Sequence, residues 1–289
     1  MAGPSLYLKR KMIDHLMLGP SGGNSSPYVP TDPYKLKLFS TLPNFDTGAG
    51  GVEMVATGYS SGGYSVALTS AEWDAAINQG TSGARVQNNG QIATWTAGAA
   101  DWEQILGLAF FDNGGTNLLW GKADDLQPTP GNGDTYRISD GALKFDLDTT
   151  TPAGISQFWK KEILDHVFAY TSRAYAAPAT TYMALFTVAP DLVLGTGGTE
   201  VAAGDYARKP ITMNATWDAC DASGICDNTA EIAFGAATSS WGDIVAAALV
   251  STVSGAFDLF ACDSFAAVTI GNGDTFKIAA GEFNVNFPA

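Results

Sequence analysis

The stretch GNGDTYRISDGALKFDL at residues 131–147 returns almost unchanged in kind as GNGDTFKIAAGEFNVNF at residues 271–287. Gly-Asn-Gly-Asp is turn chemistry, because Gly and Asn tolerate positive φ and Asp bonds to nearby backbone amides. After the turn the apolar residues alternate with period two. Tyr136 and Ile138 come first, then Leu143, Phe145 and Leu147 after a break at Gly141. The twin runs Phe276 and Ile278, then Phe283, Val285 and Phe287. Each copy therefore predicts a tight turn and then two short strands with one apolar face.

Working outward from this pair, earlier matches appear in the same order. KMIDHLM (11–17) returns as KEILDHVF (161–168), and YKLKLFSTLPNF (34–45) returns as YMALFTVAPDL (182–192). Gly51-Val52-Glu53 with Gly58-Tyr59 returns as Gly198-Thr199-Glu200 with Asp205-Tyr206, the Glu preceding the Tyr by six residues both times. Trp102-Glu103-Gln104-Ile105 returns as Trp241-Gly242-Asp243-Ile244. Chance likeness between Gly-rich segments would not preserve order and spacing together. The period, about 140–150 residues, is that of a domain rather than a solenoid repeat. The boundary falls at Asp148-Thr149-Thr150-Thr151-Pro152, giving a first repeat over 1–148 and a second over 152–289.

Each repeat opens with a predicted amphipathic helix. Leu8, Met12, His15 and Leu16 share one face of the first; Trp159, Ile163, His166 and Val167 share one face of the second. Ser5 and Ser156 are the expected N-caps, and Gly19-Pro20 ends the first helix. The alternation of Tyr34, Leu36 and Leu38 starts the strand pattern. The expected fold is mainly β: two tandem antiparallel β-sandwich domains, each preceded by a short α-helix.

Charge and composition exclude several classes. With 15 basic against 29 acidic residues the net charge is −14. Such a surface repels phosphate backbones, so nucleic acid is not an expected partner. No run of 18 apolar residues exists to span a membrane, and MAGPSLYLKRKMIDH lacks the apolar core of a signal peptide. The expectation is folding in a cytoplasm, where disulfides are disfavoured. Of the three cysteines, Cys220 and Cys226 flank a short loop that a bridge could close, but free thiols are the favoured reading; Cys262 sits in an apolar stretch.

At these residues the chain resembles a family of bacteriophage structural proteins usually labelled tail fibre proteins. Its domain reads as a helix ending Leu-Asp-His, then Tyr-x-Ala-Leu-Phe-Thr-x-x-Pro, Gly-x-Glu-Val, Tyr-Ala-Arg, a Trp segment and Gly-Asp-Thr…Gly. The second repeat matches through Leu164-Asp165-His166, Tyr182 to Pro190, Glu200-Val201, Tyr206-Ala207-Arg208, Trp241 and Gly273 to Gly281. The first matches more loosely, with Tyr59-Ser60-Ser61 in place of Tyr-Ala-Arg and an insertion around 70–90. The resemblance implies a virion protein, for which the cytoplasm expected above is that of the host.

The candidate sites are mostly structural. His15 and His166, the only histidines, each follow an Asp, but neighbours on a helix point about 100° apart, so neither Asp can orient its His as a triad carboxylate does. A His hydrogen-bonded where helix meets sandwich is expected. Asp124-Asp125, Asp134, and Asp218, Asp221 and Asp227 read as solvated acidic loops, since no EF-hand spacing holds them. The GNGDT segments lack the Lys-Ser/Thr of a P-loop. Trp95, Trp102, Trp120, Trp159, Trp217 and Trp241 suit a core better than a sugar-binding shelf. Lys9, Arg10, Lys11, Lys160 and Lys161 are the densest basic runs and the candidate partner-docking residues, with a plain solvated helix face as the alternative.

No catalytic, cofactor-binding or metal-ligating set recurs in both repeats; packing and turns are what recur. The sequence therefore reads as a non-enzymatic virion structural protein without cofactors. Two compact domains on a short linker, and no trimeric shaft repeat, favour a capsid decoration (cement) protein on the particle exterior. The alternative is a tail fibre or adsorption protein contacting the host surface. Expected partners are the major capsid protein or tail proteins, and a second copy of the chain.

Overall fold

The structure, a computed structural model, describes residues 2–4, 6–18, 28–45, 47–78, 83–124, 126–148, 154–168, 170–192, 197–219, 221 and 225–286. The first repeat begins with strand β1 (Ala2–Pro4) and helix α1 (Leu6–Leu18). Next come β2 (Tyr34–Thr41), β3 (Val52–Glu53), β4 (Tyr64–Val66), β5 (Ile77–Asn78), β6 (Gly83–Gln87), β7 (Ala93–Thr96), β8 (Gly107–Phe111), β9 (Leu118–Ala123), β10 (Thr135–Ile138) and β11 (Lys144–Asp148). The second repeat runs β12 (Gly154–Ile155), α2 (Gln157–Phe168), α3 (Tyr170–Arg173), β13 (Thr180–Val188), β14 (Thr199–Glu200) and β15 (Lys209–Thr212). It ends with α4 (Met213–Thr216), β16 (Ile225–Asp227), β17 (Ile232–Ala233), β18 (Gly242–Val250), β19 (Leu259–Ile270), β20 (Lys277–Ile278) and β21 (Asn284–Asn286).

The two repeats share one topology. In the first, a sheet runs β1-β9-β8-β2-β3 with β4 also on β2; in the second, β12-β19-β18-β13-β14 with β15 on β13. All these pairings are antiparallel. Ribbons β7-β10 and β6-β11 complete the first unit, and β17-β20 and β16-β21 the second. The insertion near 70–90 adds β5, which extends the β6-β11 ribbon. Register also corrects one sequence match. Glu53 pairs with Phe39 and Glu200 with Phe186, so the partner of Tyr34 in the second repeat is Thr181, one residue before Tyr182.

The repeated turn forms as expected. Gly131 N donates to Asp134 Oδ2 and Gly271 N to Asp274 Oδ2, each at 2.9 Å. Gly133 and Gly273 stand at φ +87 and +90, which only glycine adopts without strain. A second matched device is a buried asparagine. Asn88 donates to Gly90 O and Ser139 O and accepts from Leu143 N; Asn228 donates to Ala230 O and Ala279 O and accepts from Phe283 N. Each ties its ribbon to the adjoining loop with side-chain bonds that the sheet ladder cannot supply.

The helices depart from expectation in where they dock. The first turn of α2 is held by its own unit: Ser156 Oγ caps Trp159 N at 3.2 Å, and the Trp159 ring stacks on Phe260 at 4.7 Å. Its far end enters the other unit. The Phe168 ring lies 4.4 Å from that of Phe145 and 4.9 Å from that of Trp73, with Trp120, Tyr34 and Phe110 completing the box around it. Beyond its own unit, α2 packs chiefly on β6, while α1 packs on β16 and α4 of the second unit as well as on β9 of its own. Each helix therefore bridges both units, and the cross-unit contacts fall at matching places, on β6 for α2 and on β16 for α1. This explains why Ile13 and Met17, and equally Leu164 and Phe168, are buried along with the predicted faces: the C-terminal half of each helix is buried on all sides and lies between layers.

Candidate docking surface, the paired histidines and the latches

His15 and His166 meet where the two helices cross. Their ring centroids are 4.1 Å apart. Each Nε2 reaches the other repeat: His15 donates to Tyr175 O at 2.9 Å and His166 to Tyr28 O at 2.8 Å. Tyr175 N donates back to His166 Nδ1 at 3.1 Å. Burial pushes the His166 ring down to about 4, with the nearby His15 adding to the effect; burial also lowers His15. Both are therefore neutral at neutral pH. The preceding acids serve the same junction. Asp165 accepts from Ala76 N at 2.9 Å and from Arg173 Nη1 at 3.0 Å, while Cys226 Sγ lies 4.0 Å from Asp14 Oδ1. Each His is hydrogen-bonded as expected, though to the backbone of the other repeat, and the contact between the two histidines goes beyond the sequence reading. Their being the only two, at matching positions, is the signal that points to it.

The Glu and Tyr six residues apart form a latch in both units. Tyr59 Oη donates to Glu53 Oε1 at 2.9 Å and accepts from Leu38 N; Tyr206 Oη donates to Glu200 Oε1 at 3.0 Å and accepts from Leu185 N. In the second unit Arg208 completes it. Its guanidinium pairs with both Glu200 oxygens at 2.8 and 2.7 Å, donates to Thr252 O and Gly255 O, and lies over the Phe257 ring. The first unit has Ser61 there, and Lys37 supplies the charge from β2 instead. It meets Glu53 Oε2 at 3.2 Å, donates to Gly115 O, and lies over Phe111. A lysine on β2 thus supplies in the first unit the positive charge that Arg208 supplies in the second.

The candidate docking residues separate. Arg10 is exposed and Lys9 and Lys11 are partly exposed on the first turns of α1. Lys161 is partly exposed and stands 3.5 Å from Glu162. Lys160 is only 1% exposed, so it does not present its charge to a partner; it falls at the crowded start of α2, where Trp159 packs on Phe260. A groove also recurs. Leu108, Lys122, Tyr136, Ile138 and Leu143 line one of about 280 Å³ in the first unit. Its counterpart, lined by Ala247, Asp263, Phe276, Ile278 and Phe283, reaches about 660 Å³. Register makes Leu108 and Ala247 equivalent, so the wider groove carries the smaller side chain at this position.

Trp95, Trp102, Trp120, Trp159, Trp217 and Trp241 are buried and form no exposed shelf. Asp218 and Asp221 do lie near Asp227, whose carboxyl is raised by burial and by those two charges. Among the described residues no group of three or more His, Cys, Asp or Glu is placed to hold a metal. Cys226 and Cys262 are buried, while Cys220, Ser5, Gly19, Pro20, Asp125 and Phe287 lie outside the described residues. Among those described, no helix is long and apolar enough to cross a membrane.

No curated protein and no solved structure matches the chain. A family model does, twice: the model described as Podophage GP4 fiber I protein gp80 matches residues 3–146 and again 154–286. Both matches span helix, sheet, latch and closing turn, so the chain belongs to this family of phage fibre structural proteins and carries its domain in two tandem copies.

Proposed function

We propose that the chain is a non-enzymatic module of the tail fibre apparatus, joining other tail proteins on the virion and positioned at the host-facing side. The observation that carries this reading is the family match over both repeats under a fibre description. It shifts the weight from capsid decoration, which rested on compactness and on the lack of a shaft repeat. A compact module can serve a fibre as a joint or collar without forming its shaft. The recurring side chains support a scaffold role, because His15/His166, Asn88/Asn228, Glu53/Glu200 and Tyr59/Tyr206 all bond to the chain itself.

Copy number per purified particle tests it. Quantitative mass spectrometry against the major capsid protein should return a few to a few dozen copies. Hundreds of copies would sink the fibre reading in favour of capsid decoration.

A further inference from the structure

We infer that each β unit is an incomplete fold whose missing part is the helix of another repeat, so that the two halves hold together as non-covalent partners and the helix-exchanged pair is the smallest complete unit. Three observations carry this. Phe168 fills an aromatic box built entirely by the first unit, from Tyr34, Trp73, Phe110, Trp120 and Phe145. Without it the box is a void lined by rings, and close packing of the core is lost. Backbone groups of the first unit are also satisfied from the second. Ala76 N bonds to Asp165, Trp73 O and Asp74 O accept from Arg173, and Leu68 O accepts from Thr171. Removing the second repeat strands these groups. The relation is reciprocal through the His15–Tyr175 and His166–Tyr28 bonds, which are each other's counterparts.

A self-complementary contact of this kind is what two identical subunits form about a twofold axis. The tandem chain is then a fused dimer. The partner that fits either helix-accepting face is a second repeat of the same design: the other half here, or a second copy where only one half is present.

The test uses the full chain with a protease site placed within 149–153. After cutting, the halves should co-elute at the volume of the intact protein and melt in one transition. That melting temperature should fall on dilution, because folding has become bimolecular. Halves that separate, each with its own cooperative melt, would overturn the inference. A second measurement needs no cutting. In uncut Phe168→Leu, hydrogen exchange should quicken about tenfold in β6, β8, β9 and β11, with β13 and β18 unchanged. Quickening confined to the second unit would overturn it equally.

Discussion

The imidazoles of His15 and His166 face each other 4.1 Å apart with an interplanar tilt of 32°, and burial favours the neutral form of both. The Nδ1 of His166 accepts from Tyr175 N, so a proton there would displace a backbone bond and set two cations in contact. Its folded value of about 4 lies below the ordinary 6.5. The unfolded chain thus binds the proton first, and this contribution is complete above pH 6.5 and is lost as pH falls from 6.5 toward 4. The loss is on the order of 3 kcal/mol for His166. Melting curves from pH 7.5 to 4.5 should show the drop, and His15→Gln/His166→Gln should flatten it. An identical drop in the double variant would rule the pair out as its source.

Leu16 and Ile163 are wholly buried in the helix layer. Leu16→Ala or Ile163→Ala should each cost about 2–5 kcal/mol, the range for deleting buried aliphatic volume. An unchanged melting temperature for both would contradict the packing described.

The duplication is legible because turns and packing residues leave local marks. GNGDT and the Glu-to-Tyr spacing each report a local requirement that any copy must meet, while the Asp-His pairs recur because both serve one junction between the copies. The helix exchange leaves no such mark. Met17 and Phe168 read as apolar residues wherever they dock, and periodicity does not distinguish a helix packing on its own sheet from one packing on its neighbour. Lys160 misleads for a related reason. A basic pair at a helix start looks solvated unless the second layer over it is known. Lys37 stands on β2 and Arg208 just before β15, so no comparison of aligned positions could reveal the replacement.

Arg208 and Lys37 allow the replacement to be measured. The Arg208 side chain is 3% exposed and that of Lys37 13%. Arg208→Ala leaves Glu200 without its cation, with only Tyr206 Oη still donating to it, strands two carbonyls, and should cost about 3 kcal/mol or more. Lys37→Ala, nearer to solvent, should cost about 1 kcal/mol. Urea denaturation of the two variants decides this; a larger loss for Lys37 would refute the ranking.

A scaffold should also be inert. Purified protein should release neither sugars nor peptides from host envelopes, with or without divalent metals. Turnover abolished by changing one Asp, Glu or His would overturn the non-enzymatic reading.

Burial of Lys160 narrows the proposed docking surface to Lys9, Arg10, Lys11 and Lys161. The protein carries a net charge of −14, so an acidic neighbour on the particle repels most of its surface. Among the described residues, the N-terminal turns of α1 carry three consecutive basic side chains, Arg10 exposed and Lys9 and Lys11 partly so. Complementary charge mainly sets association rate and register, while apolar contacts supply affinity. Reversing Lys9, Arg10 and Lys11 to Glu should therefore slow binding to particles lacking the protein. Lys160→Gln, by contrast, should disturb folding more than binding, because that side chain is buried. The binding defect of the triple variant should grow as salt is lowered, since screening relaxes from about 8 Å at physiological ionic strength to about 30 Å at 0.01 M. If the triple variant binds as fast as the parent at low salt, these side chains are a solvated face, and the contact with the particle lies elsewhere on the two units.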